Sequence, residues 1–496
     1  LKEVDAAVAP LRLSVMQVRI DEERSMVIEP SKETPLVGGY DVVVAGAGPA
    51  GFGAAVAAAR NGVRTLLLER YGFPGGMITA GLVTGYPLNL LTPAEGEDEP
   101  VIGGIAQELV AELEKEGASI SAQEAKPLIG RCAGFALHMQ SNAEWNKIVM
   151  LRMLETADVS LLMHSYVVDA LVEGDTVKGV VVENKGGRQA FRAKVVVDAT
   201  GDGDVAATAG APYDQTRGQA VMPVTMTWYV ANVDTPKAVE YLRGDPGFSM
   251  FLETHRDKVP PSFLQVREVL PTFKGSGRPI LSLSYVTLPD FFARKYSQLV
   301  CPGLWRGWSP HFYGVDVTDP KQLSDAEVQA RKDVGAILNL LREHVPGFEE
   351  SYLTPGAMHI GIRESRRIEG EYKLTADDVL GGSRFDDVVV RSRTGEQIGK
   401  VDMWTQPMFD IPYRCLIPAT LDGLIVAGRC ISLTHEAASL LAPRDIVTCL
   451  ALGQAAGTSA ALSVEHQLRP RKLPISELQR TLRAQGARLG KLEKNP

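Results

Sequence analysis

Long uninterrupted apolar runs are absent from this sequence. None approaches the about 18 residues that read as a bilayer-spanning helix, so no membrane span is expected. Cysteine is scarce: Cys132, Cys301, Cys415, Cys430 and Cys449 are five in 496 residues, with no CxxC pair and no Cys/His cluster at zinc spacing. A disulfide framework and a zinc centre are therefore excluded as organising features, and no metal is expected. Reduced thiols in a cytoplasmic protein are the simplest reading. Blocks of basic charge are missing too. The net charge is −8 with Lys and Arg scattered, whereas a nucleic-acid partner would call for a basic face. Leu1 as first residue leaves a processed leader open.

What is present is an ordinary globular composition, 45% hydrophobic and 23% charged, without repeats or low-complexity segments. The length allows about two or three cores. Residues 1–39 mix charged and apolar positions without a period, which predicts an arm packed on the body or on a partner subunit of a homo-oligomer. From Tyr40 the pattern sharpens. Residues 41–45 read as a buried strand, residues 49–61 as an alanine-rich helix with Gly62 in the capping position, and residues 64–69 as a second buried strand. That is a βαβ unit. Helical periodicity follows at 103–117 and 140–157, then β-structure at 160–198. Residues 216–404 are less regular, with strand-like runs at 221–230 and 280–287. A long helix is expected from Ser324, opened by the capping box Ser324-Asp325-Ala326-Glu327. The α/β pattern returns at 411–463. The predicted layout is a cofactor domain formed by 40–215 and 405–466, an inserted α+β domain at 216–404, and a helical tail at 467–496.

Gly46-Ala47-Gly48-Pro49-Ala50-Gly51 is GxGxxG, directly after a strand and at the head of a helix. Gly46 permits the tight turn, Gly48 lets a pyrophosphate approach the backbone, and Gly51 lets helix and strand pack closely. The helix N-terminus adds N–H donors and a positive dipole end, which Pro49 and Ala50 open. Glu69 ends the second strand 23 positions after Gly46, where a carboxylate accepts bonds from ribose hydroxyls. An acid there also disfavours a 2′-phosphate. Fingerprint, small-residue helix and terminal acid agree, and together they predict dinucleotide binding.

The continuation Glu69-Arg70-Tyr71-Gly72-Phe73-Pro74-Gly75-Gly76-Met77 is more specific, and three later segments accompany it. They are residues 197–204 (VDATGDGD), residues 361–367 (GIRESRR), and residues 424–432 (LIVAGRCIS) followed by 448–457 (TCLALGQAAG). In these motifs the chain resembles the FAD-dependent oxidoreductase family related to the fumarate reductase and succinate dehydrogenase flavoproteins, over about residues 40–465. The resemblance implies an α/β fold, a Rossmann-type FAD-binding domain of glutathione-reductase-like (GR2) type with an inserted substrate domain. It implies that Gly75, Gly76, Met77 and Thr79 line the ribityl chain and flavin ring. Arg70, Val167, Ala199, Thr200, Gly201, Asp202, Gly428 and Arg429 would be further cofactor contacts. The backbone N–H groups of Ile446 and Val447 would face the flavin pyrimidine, where a helix N-terminus stabilises negative charge. The residues agree independently: glycine-terminated strands recur at 195–204 and 424–432, as wrapping a long bound cofactor requires. Ordinary Rossmann strands are the alternative.

No second fingerprint for NAD(P)H exists, and Gly275-Ser276-Gly277 is an isolated glycine pair. Either an external electron acceptor or donor binds elsewhere, or the substrate both delivers and receives the hydride. His435, before the flavin-facing helix, is a candidate proton carrier, with a backbone-bonded structural histidine as the alternative. Arg444 is a candidate for holding a carboxylate or an electron-rich oxygen, or else an ion-pair partner of Asp445 or Glu436. Arg363 and Glu364 belong to a run read as strand-like, with Arg363 and Ser365 on one face and Glu364 and Arg366 on the other. Interface salt bridges are the other reading of that run. His359 shares the face of Gly361 and Arg363 and ranks lower. The family usually spaces histidine and arginine by about seven residues, whereas His435 to Arg444 spans nine through a more apolar stretch.

The leading expectation is a flavin oxidoreductase acting on a small organic substrate, by hydride transfer between flavin N5 and carbon. A flavin monooxygenase or halogenase, and a non-catalytic FAD scaffold, are the alternatives. No histidine occupies residues 72–81, so the flavin is expected to be non-covalent. Heat denaturation of the yellow protein should release FAD into the supernatant, as chromatography would show; FMN there, or flavin left in the precipitate, contradicts this.

Overall fold

The computed structural model describes residues 19–21, 25–28, 33–93, 99–119, 138–243, 263–267, 280–285, 298, 302–393, 407–440 and 442–490. Most of the expected arm, the pair Gly275 and Gly277, and Cys132 and Cys301 lie outside these residues. Within the expected arm, Arg19–Asp21 and Met26–Ile28 pair as a two-stranded antiparallel sheet. The first strand of the main sheet, β1, is Leu36–Ala45, so residues 36–39 belong to that sheet rather than to an arm. Then come α1 (Pro49–Arg60), β2 (Thr65–Leu68), α2 (Ile105–Lys115), α3 (Ala143–Thr156), β3 (Ser160–Leu162), β4 (Tyr166–Glu173), β5 (Thr176–Asn184) and β6 (Gly187–Asp198). They form one sheet in the order β3-β2-β1-β6-β5-β4. β1, β2, β3 and β6 are parallel, while β5 runs antiparallel to both β6 and β4. Residues 42–45 and 65–68 are buried on both faces, as the central strands of a covered parallel sheet must be.

After α4 (Asp204–Thr208), a second sheet is built from β7 (Val224–Ala231), β8 (Phe263–Arg267), β9 (Ile280–Tyr285), β10 (Trp305–Phe312) and β11 (Tyr352–Thr354). Its order is β8-β9-β10-β7-β11, antiparallel throughout. Helix α5 (Pro320–His344) buries Ala330, Val334, Ile337 and Leu341 in one core with Val224, Met226, Trp228 and Val230. It starts a turn earlier than the capping box predicts. Asp319 is the N-cap, accepting from the N–H groups of Lys321 and Gln322, and Pro320 takes the first position, where its missing N–H costs nothing. Ser324 lies inside the helix, its hydroxyl donating to Pro320 O at 2.6 Å. Glu327 turns away to accept from Ile360 N at 2.6 Å.

This second core ends near Ile360 and Ile362. Ile368, Leu374, Val379, Val389, Phe409 and Ile411 pack into the first core instead, so residues 366–393 share the core of the dinucleotide-type domain although the sequence pattern placed them in the insert. The chain completes the first sheet with β12 (Leu424–Val426), parallel to the end of β6. It then runs through α6 (His435–Ser439), α7 (Ile446–Glu465) and α8 (Ile475–Ala484). Leu478, Leu482 and Leu489 of the tail are buried in the same core.

Helix α7 is long and apolar enough to cross a membrane, yet it is buried almost throughout inside the protein. A helix apolar all round is a core helix when neighbours cover it. Its main neighbour is α1. A Cβ on Gly453 would lie 2.0 Å from Ala50 O, one on Gly457 2.1 Å from Ala54 O, and one on Gly53 2.5 Å from Leu450 O. The helices therefore touch backbone to backbone, and they run parallel, since later residues of one meet later residues of the other. Gly457→Ala should lower stability by about 1–3 kcal/mol, because the added methyl meets a carbonyl that cannot retreat. Gly335→Ala, in α5 with open space around it, should raise stability by about 0.4–1 kcal/mol. Urea unfolding of both variants checks the pair, and a Gly457→Ala protein as stable as the parent would contradict the packing.

Candidate functional site

The C-terminal ends of β1, β2, β6 and β12 open onto one cleft. The first domain supplies Gly46, Gly48, Pro49, Ala50, Glu69, Arg70, Tyr71, Gly76, Met77, Val167, residues 199–202, Gly428, Arg429, Arg444, Ile446 and Cys449. His359, Ile362 and Arg363, from the chain leaving the second core, supply a second wall.

The glycine turn has the geometry its spacing predicts. Gly46 has φ +91° and a Cβ there would lie 2.8 Å from Ala199 O; a Cβ on Gly51 would lie 1.7 Å from Gly46 O. Gly48, by contrast, has nothing within 4 Å of its Cβ direction, so a ligand can approach its backbone. Gly48 is also the N-cap of α1 and brings no side-chain acceptor, which leaves first-turn N–H groups for an anion. Glu69, 5% exposed, accepts from Ala47 N at 2.8 Å and Tyr71 N at 2.9 Å. Burial raises its pKa above the usual carboxylate value, and the two backbone N–H groups partly oppose that shift.

The second helix N-terminus differs. Asp445 caps α7, its carboxylate accepting from Val447 N at 2.9 Å. Val447 is fully buried and its N–H is already engaged, so of the two backbone groups expected at the flavin only Ile446 borders the cleft. The loop after Glu69 divides similarly. Gly76 and Met77 line the cleft. Thr79 donates to Pro74 O at 2.8 Å and Gly75 N to Ala47 O at 2.7 Å, bonds that brace the loop, and neither residue is among those that line the cleft. Arg429 is a staple. Its guanidinium donates to Gly201 O at 2.9 Å, Ile362 O at 2.6 Å and Asp202 Oδ1 at 2.5 Å, joining residues 201–202 to the segment that bears Ile362. Below it, fully buried Asp198 accepts from Thr200 N, Thr200 Oγ1 and Ala206 N, and burial pushes its pKa up to about 6.

Among the candidate reacting residues, Arg444 and Arg363 line the cleft. Arg444 Nε donates to Ala438 O at 2.7 Å. Arg363 donates to Pro223 O and Thr225 Oγ1 and lies over the Trp308 ring at 5.4 Å. His435 and Glu364 do not line it. Thr434 caps α6, and the His435 ring meets Glu364 Oε2 at 2.9 Å and Thr216 Oγ1 at 3.1 Å. Glu364, 3% exposed, also takes Met222 N at 2.6 Å and pairs with Arg367 at 3.1 Å. His435 was expected beside the flavin; its ring is instead bonded to the buried Glu364 carboxylate, outside the residues that line the cleft. The alternation read into residues 363–367 fails as well. Only Arg366–Ile368 is a strand, and Ser365 and Arg366 both reach Asp202, at 2.5 and 3.0 Å. The histidine that borders the cleft is His359, which the sequence ranked lower. Its ring stacks on Tyr71 at 5.7 Å, Nδ1 meets Ile360 O at 2.7 Å, and burial lowers its pKa. Its place on the face of Arg363 was the signal available. Cys449 is also at the cleft, but burial pushes its thiol up to about 12, which leaves it protonated and unreactive.

A parallel sheet with this turn, an acid ending its second strand, and two later strands returning to the same cleft defines a Rossmann-type flavoprotein. A family model described as FAD dependent oxidoreductase matches residues 41–482, and the chain belongs to that family. It is an FAD-dependent enzyme, and the cleft fits the cofactor, with open space over Gly48 and backbone donors behind it. Over 173 residues the chain is 33% identical to the tRNA uridine 5-carboxymethylaminomethyl modification enzyme MnmG of Alkaliphilus metalliredigens (strain QYMF), covering 33% of this chain and 24% of that protein. The same enzyme of Alkaliphilus oremlandii (strain OhILAs) matches equally, at 33% over 173 residues, with the same 33% and 24% shares. The chain therefore spans about a quarter of the length of these curated relatives. Among solved structures, a geranylgeranyl bacteriochlorophyll reductase-like protein from Thermoplasma acidophilum aligns with TM-score 0.46 and 15% identity, over 90% of this chain and 84% of that one. The myxobacterial chondrochloren halogenase CndH aligns with TM-score 0.46 and 13% identity, over 90% and 78%.

Gly48→Val should abolish FAD retention, because its side chain fills the space left open over the turn. Glu69→Ala should weaken FAD by about 1–3 kcal/mol, through lost charge-assisted bonds and two stranded N–H groups. Fluorescence titration of FAD measures both, and a Gly48→Val protein that keeps its full flavin refutes the placement.

Proposed function

We propose that the protein transfers a hydride between flavin N5 and a carbon centre of a small organic substrate that carries an anionic or electron-rich oxygen. The observation that carries this reading is that Arg363 and Arg444 border the same cleft as the dinucleotide turn. The resemblance of the arginine-bearing segments to those of fumarate reductase-type flavoproteins supports it. When bound, FAD supplies the two-electron acceptor or donor. The chain's own part is to bind and orient. A guanidinium presents fixed, permanently charged donors that hold an oxygen without moving a proton at neutral pH. Arg363 is itself held by Pro223 O, Thr225 Oγ1 and the Trp308 ring, so its plane is set before a substrate arrives. His435 and Glu364 act at one remove, fixing the segment that bears Arg363.

Anaerobic stopped-flow mixing of the holoprotein with alcohols, amines, organic acids and NAD(P)H tests the reading. Loss of the flavin's visible absorbance with a carbon-centred donor supports it. Reduction by NAD(P)H alone, with product formed only when oxygen is admitted, would sink it in favour of monooxygenation. Arg444→Ala should keep FAD but raise the apparent KM about tenfold or more, the weight of one charge-assisted hydrogen bond. His435→Gln should leave the pH dependence of flavin reduction in place.

A further inference from the structure

The second domain reaches the cleft through residues 357–361, and this strip is fastened at nearly every position. Ala357 N donates to Thr227 O at 3.0 Å, Met358 N to Ala80 O at 2.8 Å, and Gly361 N to Thr225 O at 2.7 Å. From α5, Arg331 donates to Met358 O at 3.0 Å and Glu327 accepts from Ile360 N at 2.6 Å, and the two side chains pair with each other. Such fixing is more than a connection between domains needs. Its product is a single orientation for His359, whose ring lies parallel to Tyr71, 13° between planes, at the cleft wall. A backbone carbonyl can only accept, so the bond to Ile360 O puts the proton on Nδ1 and leaves Nε2 with its lone pair.

We infer that His359 is a cofactor-binding residue, its Nε2 accepting a hydrogen bond from a hydroxyl or N–H of the bound FAD, and that Glu327 and Arg331 are its positioning residues. The location favours cofactor over substrate. Tyr71, on which the ring stacks, donates its backbone N–H to Glu69 at the dinucleotide end of the cleft. The charged and titratable groups that face His359 are Arg70 and Arg429 on the first domain and Glu327 on α5, with the Tyr71 ring against it. Burial disfavours a charge on the ring and outweighs the bond to Ile360 O, and two cations against one carboxylate act in the same direction as burial, which keeps the imidazole neutral and Nε2 an acceptor. The inference does not depend on which substrate the enzyme takes.

The test follows FAD release from diluted holoprotein by the gain in free-flavin fluorescence. His359→Phe keeps the stack on Tyr71 and removes the acceptor, so release should quicken about tenfold. His359→Gln puts a carbonyl oxygen near the Nε2 position and should restore slow release. Glu327→Ala should quicken release in the parent but add nothing to His359→Phe, because it acts only through the histidine. Release from His359→Phe at the parental rate overturns the inference, as does His359→Gln releasing as fast as His359→Phe. Parental release that slows as pH falls, and does so only while His359 is present, also overturns it, since that marks a protonated ring gripping phosphate.

Discussion

The close approach of two helix backbones is the constraint on which the cleft depends. Gly53 in α1 and Gly453 and Gly457 in α7 leave no side chain between the helices, so carbonyl edges and Cα atoms are in contact over several turns. Because the two run parallel, both N-termini arrive at the same end of the sheet, beside the glycine turn. One terminus is left uncapped for a ligand, while the other is closed by Asp445. Wider separation by one methyl layer would move α7 away from β6 and β12 and pull Ile446 and Cys449 out of the wall. The electrostatics of the site therefore rest on packing at positions that carry no charge.

The second wall is tied to the first by polar links rather than by apolar burial. Arg429 spans Gly201, Asp202 and Ile362, Arg306 donates to Leu82 O, and the knot of Glu364, Arg367, His435 and Thr216 sits between the two cores. These groups are buried or half-buried, where a lost partner costs more than the bond itself contributed. Directional bonds of this kind set the position of Arg363 and His359 more sharply than contact between two apolar faces would.

The sequence made the cofactor half legible for a physical reason. A pyrophosphate site needs glycines at fixed offsets, and a ribose needs an acid at the end of the next strand, so Gly46, Gly48, Gly51 and Glu69 are separated by covalent distances alone. Residues 424–426 and 446–465 were readable because strand and helix periods are local. What failed was what depends on partners far away in sequence. His435 looked like a flavin-side residue until buried Glu364, 71 positions distant, took its ring. Glu327 fitted a capping box, but Asp319 offered a better N-cap beside Pro320, and Ile360 claimed the carboxylate. Residues 366–393 looked irregular enough to belong to the insert, yet their apolar positions fill the first core. The glycines in α7 read as a small-residue helix, and nothing local announced that α1 lay against them.

Strand β6 changes partners along its length. Its first half is flanked by β1 and β5, its second by β1 and β12, which comes from residues 424–426. On a ribosome the far edge of residues 196–198 therefore waits for more than two hundred further residues before its hydrogen-bonding groups are met, roughly ten to forty-five seconds at ~5–20 residues per second. During that interval the nascent chain carries an open, valine-rich strand edge, the kind of surface that pairs with the wrong neighbour. The whole second sheet is synthesised inside the same interval. The insert is thus complete before the strand that closes the cofactor domain has been made.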